Sequence, residues 1–194
     1  MSQRIVVIQG HPDPSPERYC RALADAYASA AESAGHEVRR LDVAALGLPP
    51  LVSRADWQQD NLPPAVAEAQ EAIEWAGHVV LVYPLWLGDV PAALKAFLEQ
   101  VLRPGFAFTR KEDGSVGPSR LKGRSAHVIV TMGMPGVAYR VYFRAHSLKS
   151  LKRNILHFVG IRPVRTTLVG MVEAGDKRRE EWLQRIAEAG RQGR

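Results

Sequence analysis

Cysteine is nearly absent from this chain, since Cys20 is the only one among 194 residues. One cysteine cannot form an internal disulfide, and the sequence shows no cluster with the spacing of a zinc site, so we expect no bound metal. No apolar run approaches the roughly 20 residues that cross a bilayer. The apolar run at residues 5–8 is too short for the core of a signal peptide. These absences favour a reducing, cytoplasmic location.

Two nucleotide-binding motifs are also missing. The sequence contains neither the G-x-G-x-x-G pattern of dinucleotide sites nor the G-x-x-x-x-G-K-S/T pattern of P-loops. This argues against a Rossmann dinucleotide site and against a P-loop nucleoside triphosphatase.

Charge is unevenly distributed along the chain. Residues 1–119 hold 10 basic and 15 acidic side chains, whereas residues 120–194 hold 16 basic and 5 acidic ones. The net charge of +6 could indicate a nucleic-acid partner. However, the cationic cluster of Lys149, Lys152 and Arg153 has no accompanying recognition helix, RNP motif or zinc knuckle, so we expect no nucleic-acid partner.

Short apolar runs alternate with amphipathic segments. Predicted strands cover residues 5–8, 36–41, 79–83, 126–131 and about 162–169. Predicted helices cover an alanine-rich segment ending at Gly35 and residues 65–76, 92–102, about 147–158 and about 177–189. Residues 46–63, 103–119 and 132–137 are predicted to be irregular.

The strands are apolar throughout, which indicates burial on both faces, as in a parallel sheet between two helical layers. Hydrophobic residues make up 46% and charged residues 24% of the chain, the balance of a globular protein. We therefore predict an α/β fold in one domain spanning residues 1–194. The expected architecture is a flavodoxin-like three-layer sandwich with a five-stranded, parallel, doubly wound sheet in the order 2-1-3-4-5.

Three loops leave the carboxyl ends of the predicted strands, where doubly wound sheets bind ligands. Loop 1, residues 11–18, leads into a helix whose free N–H groups suit a phosphate, with Ser15 and Arg18 as additional donors. The alternative is an N-terminal helix cap with a solvated arginine. Loop 2, residues 83–91, is apolar and aromatic, which fits a planar ligand, a dimer contact or inward packing of Trp86. Loop 3, residues 131–136, contains glycines that allow close backbone approach to a ring, although an ordinary turn explains them equally well.

Taken together, these loops resemble the NAD(P)H:quinone oxidoreductase family of flavoproteins, the DT-diaphorase-like branch of the flavodoxin fold. The family shows a pattern similar to F/H-P-x-x-W/Y, then P-x-x-L-K, then G-x-A-Y/F. The matching residues here are Tyr83, Pro84, Leu85, Trp86, Pro91, Leu94, Lys95, Gly105, Ala107 and Phe108. Gly10, His11, Pro12 and Ser15 resemble the family's first loop, and residues 155–160 resemble the segment before its last strand.

The resemblance implies a bound FMN or FAD and assigns residues to it. The positions that would hold the phosphate and ribityl chain are His11, Ser15, Pro16, Glu17 and Arg18. The positions that would hold the flavin ring are Pro84, Leu85, Trp86, Leu87, Gly88, Thr131, Met132, Gly133, Met134 and Pro135. Tyr139 is a further cofactor-binding candidate, and together with His146 it is a candidate catalytic residue near the pair that stabilises reduced flavin in the family.

The chain also departs from the family pattern. Trp86 is followed by Leu87, Gly88 and Asp89 in place of a second aromatic residue, and Met132 and Met134 replace smaller residues. Glu17 next to a phosphate is unfavourable unless Arg18 offsets it. The long C-terminal extension of the largest members is absent, which favours FMN over FAD.

The resemblance implies an enzyme that passes a hydride from NADH or NADPH through the flavin to a quinone-like acceptor in a ping-pong cycle, as a homodimer. The alternative is a flavin-binding ancillary subunit that docks on a potassium efflux membrane protein. A flavodoxin-like electron carrier is disfavoured, because such carriers tend to be acidic and this chain has a pI near 9.8.

Overall fold

The computed structural model describes residues 2–58, 61–112 and 115–194. Its seven strands, in chain order, are β1 (Arg4–Gln9), β2 (Glu37–Asp42), β3 (His78–Pro84), β4 (Phe108–Arg110), β5 (Val116–Ser119), β6 (Ser125–Met132) and β7 (Val164–Gly170). The helices are α1 (Tyr19–Ser33), α2 (Val43–Leu46), α3 (Arg54–Gln58), α4 (Pro64–Trp75), α5 (Ala92–Val101), α6 (Gly136–Val141), α7 (His146–Ser150) and α8 (Asp176–Arg191). A π-helical segment, Leu151–Leu156, continues α7 directly.

Five strands form one parallel sheet in the order β2-β1-β3-β6-β7. Counted along the sheet's own strands, this is the order 2-1-3-4-5, so the predicted doubly wound topology is confirmed. The chain places β2 on one side of β1 and then adds β3, β6 and β7 on the other side, so the direction of strand addition reverses between β1 and β3. All five carboxyl ends lie at the same edge, which brings the three predicted loops together.

Alternate residues of the strands build two cores, because successive side chains point to opposite faces of a sheet. On one face, Ile5, Val7 and Val80 pack with helices α1 and α8. On the other, Val6 and Leu81 pack with α4, α5 and the segment from α7 onwards. The sheet is therefore enclosed between two helical layers.

The structure refines the predicted irregular segments. Residues 103–119 include the antiparallel β4–β5 hairpin, in which Phe108 lies 5.3 Å from the ring of Phe158. The strands of this hairpin are only three and four residues long, too short for a periodicity to show. Helix α6 begins in the last two residues of the predicted loop 132–137, and the expected 147–158 helix divides into α7 and the π-helical segment. Residues 59–60 and 113–114, within two predicted loops, lie outside the described residues.

Within the described ranges, no helix combines the length and the apolar character needed to cross a bilayer. The same residues bring together no group of three histidine, cysteine, aspartate or glutamate side chains able to hold a metal ion.

Candidate functional site

Thr131, at the end of β6, joins the elements around the candidate site. Its carbonyl accepts a hydrogen bond from the Leu85 N–H of loop 2 at 2.8 Å. Its hydroxyl lies 3.1 Å from the Cys20 sulfur in the first turn of α1. Thr131 is buried, so it holds the loops in register and does not line an open surface.

The Cys20 thiol, which the sequence did not mark as part of the site, is a buried structural group. Burial raises its pKa to about 12, so the thiol stays protonated near neutral pH. A protonated thiol is a poor nucleophile, and Cys20 therefore contributes a hydrogen bond to Thr131 and no covalent chemistry.

Loop 1 is organised by Asp13, another residue that the sequence interpretation missed. Its carboxylate accepts hydrogen bonds from the Ser15 N–H at 2.8 Å and from the Arg18 Nε at 2.7 Å. These bonds, the backbone bond from Ser15 first, lower the pKa of Asp13. Arg18 is thus paired with Asp13, and the predicted free cation for a phosphate is engaged inside its own loop. An Asx-type aspartate two residues before a serine was the available sequence signal.

The start of α1 still fits an anion. Its N-cap residue, Arg18, makes no side-chain capping hydrogen bond, and its first turn contains no acidic residue. The 15-residue helix therefore presents its positive dipole end and the N–H groups of Tyr19 and Cys20 at the end of loop 1, whereas the Arg21 N–H bonds to the Arg18 carbonyl at 2.8 Å. Pro16 and Glu17 are both exposed beside this end, whereas Ser15 is half-buried.

His11 links loop 1 to loop 2. Its ring lies 5.5 Å from the Trp86 ring in an edge-on arrangement, and its Nδ1 accepts a hydrogen bond from the Asp13 N–H at 3.0 Å. Burial lowers the pKa of His11, against the opposing effect of Asp13, so its imidazole is neutral at pH 7. A neutral ring that accepts at Nδ1 carries its proton on Nε2, which leaves one donor for a ligand.

Loop 2 projects into solvent through a tight turn. Trp86 and Asp89 exchange two backbone hydrogen bonds of 3.0 and 2.9 Å, so Leu87 and Gly88 form a two-residue turn. Both have positive φ, 45° and 79°, as type I′ turns require, and glycine adopts this conformation easily. Leu87 is fully exposed and Trp86 is 48% exposed. Inward packing of Trp86 is therefore wrong, and an apolar surface is offered to a ligand or a partner.

Pro84 and Leu85, by contrast, form the base of this loop. Pro84 is buried as the last residue of β3, and Leu85 is half-buried. Both residues are less exposed to solvent than Leu87 and Gly88 in the turn that follows them.

Loop 3 is hydrogen-bonded to the residue that follows β7 and leaves free space beside Gly133. The Met134 carbonyl accepts a hydrogen bond from the Met171 N–H at 3.1 Å, which ties the loop to the end of β7. Met132 is buried, Met134 is half-buried and Pro135 is exposed. A Cβ added to Gly133 would meet no described atom within 4 Å, so free space lies over this glycine. The Met132 side chain is 4% exposed and packs in the hydrophobic core.

The predicted catalytic pair has separate environments. Tyr139 is buried, and its hydroxyl lies 2.7 Å from the Ser147 Oγ and 3.2 Å from the Leu148 nitrogen. Tyr139 therefore offers no free hydroxyl to a ligand, and direct contact with a flavin does not fit this geometry. His146 begins α7 and is exposed. A contact of His146 with reduced flavin remains a prediction.

A cavity of about 470 Å³ opens beside loop 2. Its lining is mainly apolar and includes Trp86, Leu87, Val90, Pro91, Ser147 and Leu151. Trp86 therefore borders the cavity while also contacting His11 of loop 1.

The architecture and the loops agree with a family comparison. A profile of the family described as having a flavodoxin-like fold matches residues 3–192. The chain belongs to this family. Family membership extends the sequence resemblance across nearly the whole chain.

Individual relatives match from about two thirds to nearly all of the chain. An uncharacterised NAD(P)H oxidoreductase of Haemophilus influenzae is 28% identical over 94% of this chain and 92% of its own length. An FMN-dependent NADH:quinone oxidoreductase of Alteromonas mediterranea is 30% identical over 66% of each chain. Among solved structures, the NAD(P)H:quinone oxidoreductase from Methanothermobacter marburgensis superposes with a TM-score of 0.82 at 25% identity, covering 98% of this chain and 96% of the other.

The site can thus hold an anion at α1, accept a planar group over Gly133, and shelter an apolar molecule beside Trp86. The geometry brings together the three loops that the sequence predicted. The sequence interpretation missed Asp13, Cys20 and Ser147, whose roles come from hydrogen bonds to Arg18, Thr131 and Tyr139 in the folded chain.

Proposed function

We propose that this chain is a flavin-dependent NAD(P)H oxidoreductase that reduces quinones or similar acceptors in a ping-pong cycle, acting as one flavin-binding domain. The observation that carries the proposal is the open space over Gly133 of loop 3, close to Thr131, which is hydrogen-bonded to loop 2 and to the first turn of α1. The names of the relatives, which include NAD(P)H- and FMN-dependent quinone oxidoreductases, support the same activity.

The residues present fit FMN. The start of α1, with the Ser15 hydroxyl, would hold the phosphate, and loops 2 and 3 would hold the ring between Trp86 and Gly133. FMN held there would supply the two-electron chemistry that couples oxidation of NADH or NADPH to reduction of the acceptor. The Gly133 N–H is positioned by the Met134–Met171 anchor and would donate to a ring oxygen or nitrogen.

The neutral His11 would contribute a hydrogen-bond donor near the ring without adding charge. The Asp13–Arg18 pair fixes the loop shape, and its two charges offset each other beside the phosphate. Glu17 is exposed and can turn into solvent, so its charge does not block the site.

An absorption spectrum of the purified protein is the direct test. We expect flavin bands, retained after gel filtration. In the absence of oxygen, oxidation of NADH or NADPH should continue beyond the amount of bound flavin only when a quinone is supplied. Parallel lines in double-reciprocal plots would identify the ping-pong order. A colourless protein that cannot be reconstituted with FMN or FAD would overturn the proposal.

We also propose a homodimer in the cytoplasm. The exposed side chains of Trp86, Leu87, Tyr142 and Phe143 support the dimer, because large apolar groups at one end of a sheet favour burial against a partner. Light scattering would show twice the monomer mass of 21.4 kDa. A monomer that co-purifies with a membrane fraction and shows no turnover would favour the ancillary-subunit alternative.

A further inference from the structure

Ser147 lies where a buried hydrogen-bond chain meets the cavity beside Trp86. It is the second residue of α7, it is only 8% exposed, and it borders the cavity. Its hydroxyl lies 2.7 Å from the buried Tyr139 hydroxyl.

The direction of the hydrogen bonds follows from the Tyr139 hydroxyl. Its oxygen accepts from the Leu148 N–H at 3.2 Å. Among the described residues, Ser147 Oγ is the other hydrogen-bond partner of this hydroxyl. An unpaired phenol proton in a buried position is unfavourable, so the Tyr139 hydroxyl donates to Ser147.

The Ser147 hydroxyl can then donate its own hydrogen bond only towards the cavity. Its oxygen receives the bond from Tyr139, and across the described ranges no acceptor other than Tyr139 lies within hydrogen-bond distance of the Ser147 hydroxyl. Because the side chain borders the cavity, its O–H is free to donate to whatever occupies that space.

The cavity lining defines what that occupant would be. Trp86, Leu87, Val90, Pro91 and Leu151 make most of the lining apolar, which suits a flat molecule, and Asp89, Lys95, Ser147 and Ser150 supply its polar side chains. A hydroxyl donor on such a wall fits a carbonyl oxygen at the edge of that molecule.

We propose that Ser147 is the residue that binds the acceptor, donating a hydrogen bond to a quinone carbonyl, while Tyr139 and the Leu148 N–H orient it. This inference rests on the proposed function and names a residue for its second half-reaction. The order of donation is Leu148 N–H to Tyr139, Tyr139 to Ser147, and Ser147 to the acceptor.

Equilibrium binding of 1,4-naphthoquinone to the purified protein, followed by quenching of tryptophan fluorescence, tests the proposal. Ser147→Ala should raise the dissociation constant about tenfold, the effect of one lost hydrogen bond of about 1.4 kcal/mol. Ser147→Cys, nearly equal in size but a weak donor, should show the same loss. Circular dichroism would show that both variants are folded.

Ser33→Ala is the matched control. Ser33 is exposed near the end of α1, lies outside the cavity lining, and donates a hydrogen bond to the Ser29 carbonyl at 2.8 Å. We expect its naphthoquinone affinity to equal that of the unaltered protein. Equal losses in the Ser147 and Ser33 variants, or no loss in the two Ser147 variants, would overturn the proposal.

Kinetics give a second and separate measurement. In Ser147→Ala, kcat/KM for naphthoquinone should fall about tenfold, whereas kcat/KM for NADH and for ferricyanide, which has no carbonyl oxygen, should not change. A fall in the NADH value would contradict the assignment. If the protein holds no flavin, the proposed function fails, and the fluorescence titration still decides whether Ser147 binds a quinone.

Discussion

Gly133 and Thr131, two residues apart, have opposite roles at the candidate site. Both were predicted to contact a flavin ring. The structure buries Thr131 as the link between loop 2, loop 3 and α1, whereas it leaves free space above Gly133. Of these two residues, Gly133 is therefore the one that can be altered without disturbing the fold.

Gly133→Val should abolish flavin retention while leaving the apo-protein folded. The added side chain meets no described protein atom near its Cβ, so it projects into the space where the ring would lie. The ratio of flavin to protein absorbance after gel filtration measures retention, and thermal denaturation of the apo-protein measures stability. Gly133→Ala serves as the control and should lose less flavin. A yellow, active valine variant would contradict the placement of the ring.

At the scale of elements, the turn of loop 2 combines features that oppose folding. Leu87 adopts a left-handed backbone conformation that is unfavourable for leucine, and its apolar side chain is fully exposed. The turn closes the β3 end of the site and borders the cavity. We infer that this leucine is kept for contact with the substrate or with a second subunit.

Leu87→Asn should raise the free energy of unfolding by about 1 kcal/mol, because asparagine tolerates the left-handed region and Asn-Gly suits a type I′ turn. Urea denaturation would show a higher midpoint with an unchanged slope. The same variant should lower kcat/KM for a quinone several-fold, since apolar lining is lost from the cavity. Lower stability would show that the turn is not strained in solution.

At the scale of the whole molecule, the uneven charge is concentrated near the site. No acidic residue occurs from 114 to 172. The segment that includes α6 and α7 carries the exposed cations Arg140, Arg144, Lys149 and Arg153, and the same segment contributes Ser147 and Leu151 to the cavity. The basic half thus lies within the same fold and can attract the phosphates of NAD(P)H.

Salt should therefore slow the reaction with the donor. We expect kcat/KM for NADPH to fall about threefold or more between 0.02 and 0.3 M NaCl, because the Debye length shortens from roughly 20 Å to below 8 Å. Replacing Arg140 and Lys149 by glutamine should flatten this dependence. Arg4→Gln, at the opposite edge of the sheet, should leave it unchanged. A rate that does not vary with ionic strength would argue against steering.

The opposite edge of the sheet contains a buried histidine, His78, at the start of β3. Its Nδ1 lies 2.7 Å from the Ser125 Oγ. Burial, with smaller effects from His127, Arg165 and His36, lowers the pKa of His78 to about 4. Since the unfolded state would bind a proton near pH 6.5 and the folded state would not, stability is full above that pH and is lost as the pH falls towards 4.

We expect the free energy of unfolding to drop by about 2 kcal/mol from pH 7 to pH 5 because of His78. Burial also lowers the pKa of His127, which adds a loss of the same sign. Urea denaturation at both pH values measures the total, and His78→Asn should reduce the difference. An equal pH dependence in the variant would assign the effect to other groups.

The sequence by itself determined the alternation of strands and helices and the positions of the three loops that follow β1, β3 and β6. Apolar runs such as residues 79–83 must be buried on both faces, and the residues of loop 2 carry a pattern specific enough to indicate the family. These are local features, so they can be recognised without knowing which segments meet.

The tertiary structure alone decided which side chains are free to act. Arg18 is paired with Asp13, Thr131 is hydrogen-bonded to Cys20 across 111 positions, and the Tyr139 hydroxyl is hydrogen-bonded to Ser147. The short β4–β5 hairpin and the change from α7 to a π-helix also depended on packing against distant residues. A side chain's availability depends on the partners that folding brings to it, and in Thr131 and Tyr139 those partners take up the polar groups that the sequence had assigned to a ligand.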